Sequence, residues 1–182
     1  DGLEVAARRI TVSTAGWADR IRQMGDERRR VKLAVSLHSA VEETRRSLMP
    51  VTRRHSLPAL LDAVGHYYRR TKQRVTYEYI FFDGVNDTDA EFRALVRAAR
   101  RVPCAINVIP YHSIASAGHS GPGSALRPSP RMEELVERLR REKLAVFARS
   151  SAGEDIDAAC GQLAVKEQAR KRRAVHSAAA SN

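Results

Sequence analysis

A few side chains in this sequence have types and settings that suit chemistry. Cys160 stands in Gly153-Glu154-Asp155-Ile156-Asp157-Ala158-Ala159-Cys160-Gly161-Gln162-Leu163, where a turn glycine and carboxylates precede a thiol flanked only by small residues. Small flanks let a bulky partner reach the sulfur, and a thiolate is the strongest nucleophile among ordinary side chains. The same pattern also fits a small buried cysteine at a helix start, and nearby Asp155 and Asp157 disfavour the thiolate. Ser36-Leu37-His38 ends an apolar run with two groups that can hydrogen-bond a polar ligand or cap a loop. Cys104 and Asn107, beside or inside another apolar run, read as structural.

Several chemistries are excluded. Neither G-x-G-x-x-G nor G-x-x-x-x-G-K-[ST] occurs, so a dinucleotide fold and a P-loop lack support. Gly118-His119-Ser120-Gly121-Pro122-Gly123 is glycine-rich but sits in a long loop, where it reads as flexible chain. Two cysteines make neither a disulfide scaffold nor a structural zinc site. A reducing cytoplasm is the expected location.

The elements that must position these residues alternate between strand and helix. Strands are expected at Arg9–Thr14, Val31–His38, Val75–Phe82, Ala105–Tyr111 and Leu144–Arg149. Helices are expected from Trp17 to Met24, from Ser56 (as N-cap, with Pro58 in the first turn) through Tyr68, from Thr88 to Arg101, and from Pro130 to Glu142. His112 to about Arg127 reads as a loop, Asp155 to about Gln168 as a further helix, and the basic remainder as a disordered tail. This alternation, with right-handed crossovers, gives an α/β fold with a parallel sheet, open or closed into a barrel. Ligands then sit at the C-terminal ends of the strands. That rule selects Ser13, Ser36 to His38, Asp83 to Asp87 and Tyr111 to Ser113.

The chain has 182 residues, 43% of them hydrophobic, and 32 basic residues against 21 acidic ones, for a net charge of +11. The excess attracts polyanions, and the planar arginine fork suits phosphate. Nucleic acid is the expected partner, although a bias of arginine for lysine on solvated faces gives the same composition. No run approaches the ~20 apolar residues of a membrane helix. The chain opens at Asp1 with a strand close behind and is expected to be a piece of something longer.

Gly-x-Asp-Ile-Asp-Ala-Ala-Cys-Gly-Gln-Leu resembles the C-terminal signature of the RlmN/Cfr family, radical-SAM adenine methyltransferases of large-subunit ribosomal RNA. The likeness runs in order through Arg9–Thr14, Ala34–His38, Leu48-Met49-Pro50, Val75–Tyr79, Asp83–Asp87 and Ile106–Tyr111, spanning about Arg8 to Leu163. It implies the C-terminal part of a partial (β/α)6 radical-SAM barrel with a C-terminal extension. Residues 1–150 would hold the last four barrel strands and an extension strand, 151–168 the catalytic-cysteine segment, and 169–182 a basic tail. The C-x-x-x-C-x-x-C ligands of the [4Fe-4S] cluster would lie outside this chain.

By the same resemblance Ser13, Ser36, Leu37 and His38 fall on positions that contact S-adenosyl-L-methionine (SAM), and Cys160 on the cysteine that is itself methylated. A second SAM, cleaved at the reduced cluster, would then activate the S-methyl group for addition to adenine C2. His112 stands where an SAM-contacting asparagine is usual, Ser39-Ala40-Val41-Glu42 replaces the usual Ala-Pro-Asn-Asp, and Thr52 stands where Asn is common. The implied partners are 23S rRNA, tRNA as a second substrate, and an electron donor, for a monomeric enzyme. Methylation at C8 and a remnant that only binds RNA are the competing readings.

Overall fold

Five short apolar runs pair into one parallel sheet whose spatial order is the sequence order, β1-β2-β3-β4-β5. The computed structural model describes residues 6–111 and 126–148. The strands are β1 (Thr11–Thr14), β2 (Lys32–Ser36), β3 (Val75–Tyr79), β4 (Cys104–Val108) and β5 (Ala145–Ala148). The helices are α1 (Ala18–Asp26), α2 (Glu42–Leu48), α3 (Leu57–Thr71), α4 (Asp89–Ala99) and α5 (Met132–Arg141). No described helix is long and apolar enough to cross a membrane.

Parallel neighbours joined in sequence order need a crossover each, and crossovers of one hand place every helix on one face. The core has that one-sided composition. Leu33, Val35, Val75, Tyr77, Tyr79, Ile106 and Val108 alternate along β2, β3 and β4 and pack with Ile21, Leu60, Val64, Tyr67, Leu95, Leu135 and Leu139 from the helices. Each fully buried side chain of this size contributes about 1.5–3 kcal/mol.

α3 begins as its sequence dictates: the Ser56 hydroxyl accepts from the Ala59 amide at 3.4 Å, and Pro58 lies in the first turn. α4 is capped in the same way by Thr88, which accepts from the Glu91 amide at 3.3 Å.

Element ends depart from expectation where side chains capture backbone groups. Residues Ala7–Arg9 form a 3-10 turn, so β1 starts at Thr11 and not at Arg9. β3 stops at Tyr79 because Asn86 takes over the next polar groups. Its side chain accepts from the Phe82 amide at 2.6 Å and donates to the Ile80 carbonyl at 2.8 Å. β4 runs from Cys104 to Val108, and Pro110 beyond it has no N–H for the ladder. Residues 112–125 and 149–182, including the expected Asp155–Gln168 helix and the tail, lie outside the described residues.

Candidate functional site

Among the described residues, one-sided packing leaves the other face of the sheet without helices. Strand alternation and register place Ser13, Ala34, Thr76 and Ala105 in one row across it, and Ser36, Glu78, Asn107 and Phe147 in the next. Neighbouring positions in a row lie on strands about 4.8 Å apart. These side chains are small or polar, apart from Phe147, which is 61% exposed at the sheet edge. Ser36, Thr76, Glu78 and Asn107 are half-buried and Ser13 is exposed. A large polar ligand could lie across such a surface, which offers hydroxyl, amide and carboxylate groups with no bulk to obstruct them.

The chain leaves β2 through a sharp bend. His38 has φ +53, and the Ser39 amide donates to the Leu37 carbonyl at 2.7 Å. A three-residue turn of this kind around a positive φ is rare and strained, and such strain collects at binding and catalytic sites. Among the described residues, His38 Nδ1 is a buried polar atom with no hydrogen-bond partner. Burial, and secondarily the nearby Arg45 cation, lowers the imidazole pKa from 6.5 to about 4. His38 is therefore neutral at pH 7, with one ring nitrogen donating and the other accepting.

Arg45 holds this end of the sheet together. It is 0% exposed. Its Nε donates to the Leu37 carbonyl at 3.2 Å, and Nη1 donates to Thr52 Oγ1 at 2.5 Å. Its Nη2 donates to the carbonyls of Ala15 at 2.7 Å and Ser36 at 3.1 Å. One guanidinium thus fixes the exits of β1 and β2 and the 3-10 turn Pro50–Arg53. Gly16 makes room for it. At φ +115, a Cβ there would sit 2.7 Å from Arg45 Nη2. Burial lowers the Arg45 pKa, and Glu42 opposes that fall.

A second clamp joins β2 to β3. Asn86, 1% exposed, donates from Nδ2 to the His38 carbonyl at 2.5 Å as well as binding its own turn. Beside it, Ser39 Oγ donates to Glu91 at 2.8 Å and Ser129 Oγ donates to Asp87 at 2.6 Å, so both buried carboxylates are partnered.

The structure thus brings Ser13, Ser36 and His38 to one end and one face. Leu37 differs: its side chain is in the helix-side core and its amide already donates to the Glu78 carbonyl at 2.9 Å. His112 and Cys160 lie outside the described residues. Cys104 is at the opposite, N-terminal end of β4, where its thiol donates to the Ala99 carbonyl at 3.2 Å and burial pushes its pKa up to about 11. That thiol is inert. No group of three or more His, Cys, Asp or Glu among the described residues could hold a metal ion.

Arg45, Glu78 and Thr76 escape the sequence reading, and Asn107 is read there as structural. Nothing in the period-two pattern says which strand face the helices cover. The signal for Arg45 is only that α2 is polar and short, with two arginines side by side.

No family model matches the chain. A probable dual-specificity RNA methyltransferase RlmN of Flavobacterium psychrophilum is 42% identical over 168 residues, 92% of this chain and 47% of its own length. A dual-specificity RNA methyltransferase RlmN of Desulfotalea psychrophila is 41% identical over 170 residues, 93% of this chain and 45% of its own. The chain is homologous to the RlmN methyltransferases. It spans about half the length of the curated RlmN relatives it matches.

The crystal structure of a radical SAM methyltransferase from Sphaerobacter thermophilus superposes with a TM-score of 0.73 at 40% identity, covering 86% of this chain and 44% of that one. A domain of pyruvate-formate lyase-activating enzyme from Bacteroides vulgatus shares the fold at a TM-score of 0.58 and 16% identity, covering 77% of this chain and 80% of that one. The α/β architecture of this RlmN homologue is therefore that of part of a radical-SAM barrel, as its sequence implied.

Proposed function

We propose that this chain forms the SAM-holding and thiol-bearing part of a radical-SAM enzyme that methylates adenine in RNA. The observation that carries the reading is the helix-free face ending in Ser13, Ser36 and the strained, unpartnered His38. An orphaned buried nitrogen beside a row of small and polar side chains fits a ligand rich in hydrogen-bonding groups. When bound, SAM supplies an activated methyl group and, with an electron from a [4Fe-4S] cluster, one-electron chemistry.

Each residue then has a task. The Ser13 and Ser36 hydroxyls hydrogen-bond the ligand across neighbouring strands. His38, held neutral, offers Nδ1 as acceptor or donor according to its tautomer. Leu37 acts through its backbone, and Arg45 keeps its carbonyl and that of Ser36 from turning into the site. His112 takes the place of the usual asparagine with one hydrogen bond. Cys160 loses its proton, accepts a methyl group on sulfur and carries it to the base. Adenine C2 is not nucleophilic, so a polar transfer to it is slow, and a carrier thiol placed beside the ring supplies the proximity that a radical route needs.

The sequence has two cysteines, too few for a three-thiolate cluster site, so the cluster ligands are assigned to residues beyond these 182. The proposed substrate is adenine of 23S rRNA at C2, with tRNA as second substrate. The proposed setting is a cytoplasmic monomer served by an electron donor.

The test uses the complete polypeptide encoded with this sequence. Ser36→Ala and His38→Ala each raise the KM for SAM at least several-fold while the protein stays folded. Unchanged KM in both variants would remove the helix-free face as the SAM site. Digestion of the product RNA separates 2-methyladenosine from 8-methyladenosine. The C8 isomer would overturn the regiochemistry and leave the family assignment intact.

A further inference from the structure

Trp17 is the sole tryptophan in the chain and is 46% exposed. It follows the β1 exit directly, with its amide donating to Thr14 Oγ1 at 3.4 Å. That places it on the rim where the candidate site opens. Its ring lies 5.4 Å from that of His55 at 52°, and His55 itself follows the 3-10 turn that Arg45 anchors. Beside the pair is an open cleft of about 520 Å³, lined by Trp17, Asp19, Arg20, Gln23, Arg54 and His55. The volume is in the range that holds a small ligand.

The electrostatics of the cleft favour an anion beside an aromatic ring. Arg20 and Arg54 are exposed, and among the described residues neither has an ion pair; Arg20 donates only to Gln23 at 2.9 Å. The single carboxylate, Asp19, faces His55 at 3.8 Å. Arg53, exposed on the same turn as Arg54, also has no ion pair among the described residues. An exposed indole in a cleft that also holds guanidinium groups is an arrangement that stacks an unpaired base and neutralises its phosphates.

We infer that this cleft is a second RNA subsite, which takes an unpaired base next to the nucleotide that reacts. The base stacks on the free face of Trp17, and Arg20 and Arg54 hold the flanking phosphates. The subsite rests on the reading of RNA as substrate, and it adds what that reading lacks: a place outside the SAM face that grips a single strand.

Because Trp17 is the sole tryptophan, its emission reports on the cleft directly. The complete polypeptide encoded with this sequence, with any tryptophan outside these 182 residues replaced by phenylalanine, is titrated with a short oligoadenylate, and in parallel with an abasic strand carrying the same number of phosphates. Oligoadenylate should quench Trp17 emission and the abasic strand should not. Trp17→Ala should weaken oligoadenylate binding about 10-fold, the size of one base–aromatic stack, and leave abasic-strand binding unchanged. Trp17→Phe should recover most of the loss. Arg20→Gln and Arg54→Gln should weaken both strands and flatten the salt dependence.

Binding of oligoadenylate with unchanged emission, or equal affinity in Trp17→Ala, overturns the subsite. An indole already shielded from acrylamide before RNA is added overturns it too, because another part of the polypeptide then covers the cleft. Whether RNA is the substrate at all is decided separately, by the appearance of methyladenosine.

Discussion

Replacing Arg45 with methionine removes the clamp while keeping most of the side-chain volume. Four acceptors lose the Arg45 donor: the carbonyls of Ala15, Ser36 and Leu37, and Thr52 Oγ1, of which the Leu37 carbonyl keeps the Ser39 amide at 2.7 Å. An unsatisfied buried polar group costs about 1–3 kcal/mol. The Ala15 and Ser36 bonds are only partly buried, so those carbonyls fall at the low end. The sum over the three that are left without a donor is about 3–5 kcal/mol. Against it stands the relief of no longer burying a cation without a carboxylate in contact, worth several kcal/mol. Three of the acceptors are backbone, so methionine cannot remove them, and the net destabilisation is about 2 kcal/mol. Arg45→Lys keeps the charge, but one ammonium cannot span acceptors on two strand exits and a turn, so about half of that loss remains. Urea unfolding measures both variants, and SAM affinity should fall with them. A methionine variant within about 1 kcal/mol of the parent, at the ~1 kcal/mol scale of a single net hydrogen bond, would refute the clamp.

The His38 imidazole supplies a pH signature. Its folded pKa, about 4, lies below 6.5, so the unfolded chain takes up the proton first. Stability is full above pH 6.5, declines as pH falls towards 4, and levels below that, a loss of about 3 kcal/mol. His38→Asn, which tolerates the positive φ, should lack this component, and parallel pH–stability curves would contradict the assignment. Gly16→Ala should cost about 1–3 kcal/mol more than Gly84→Ala. Both glycines have positive φ, but only the first meets Arg45 and Leu60 while nothing lies within 4 Å of the second. Thermal melts of the two variants test this, and equal losses would show that Arg45 does not press on Gly16.

Much of the fold is legible in the sequence because its signals are strong. The apolar runs at Leu33–Leu37 and Val75–Tyr79, the Ser56 cap and the turn Asp83–Asp87 specify strands, a helix start and a strand end locally. Element ends are less legible, since they depend on which side chain captures a free backbone group: Asn86 stops β3, and no periodicity encodes that. The candidate site is legible at Ser13, Ser36 and His38 because they sit at strand ends. It is not legible at Glu78 and Asn107, whose importance depends on one sheet face having no helix. α2 escaped because it has no apolar stripe; its one buried side chain is that of Arg45.

We propose that this polypeptide carries a methyl group to RNA on Cys160. The most direct test is mass spectrometry of 23S rRNA from cells that lack their own enzyme, complemented with the complete polypeptide carrying Cys160, Cys160→Ala or Cys104→Ala. The account predicts 2-methyladenosine with the parent and with Cys104→Ala, whose thiol sits at the far end of β4, and none with Cys160→Ala. Normal methylation with Cys160→Ala would contradict it.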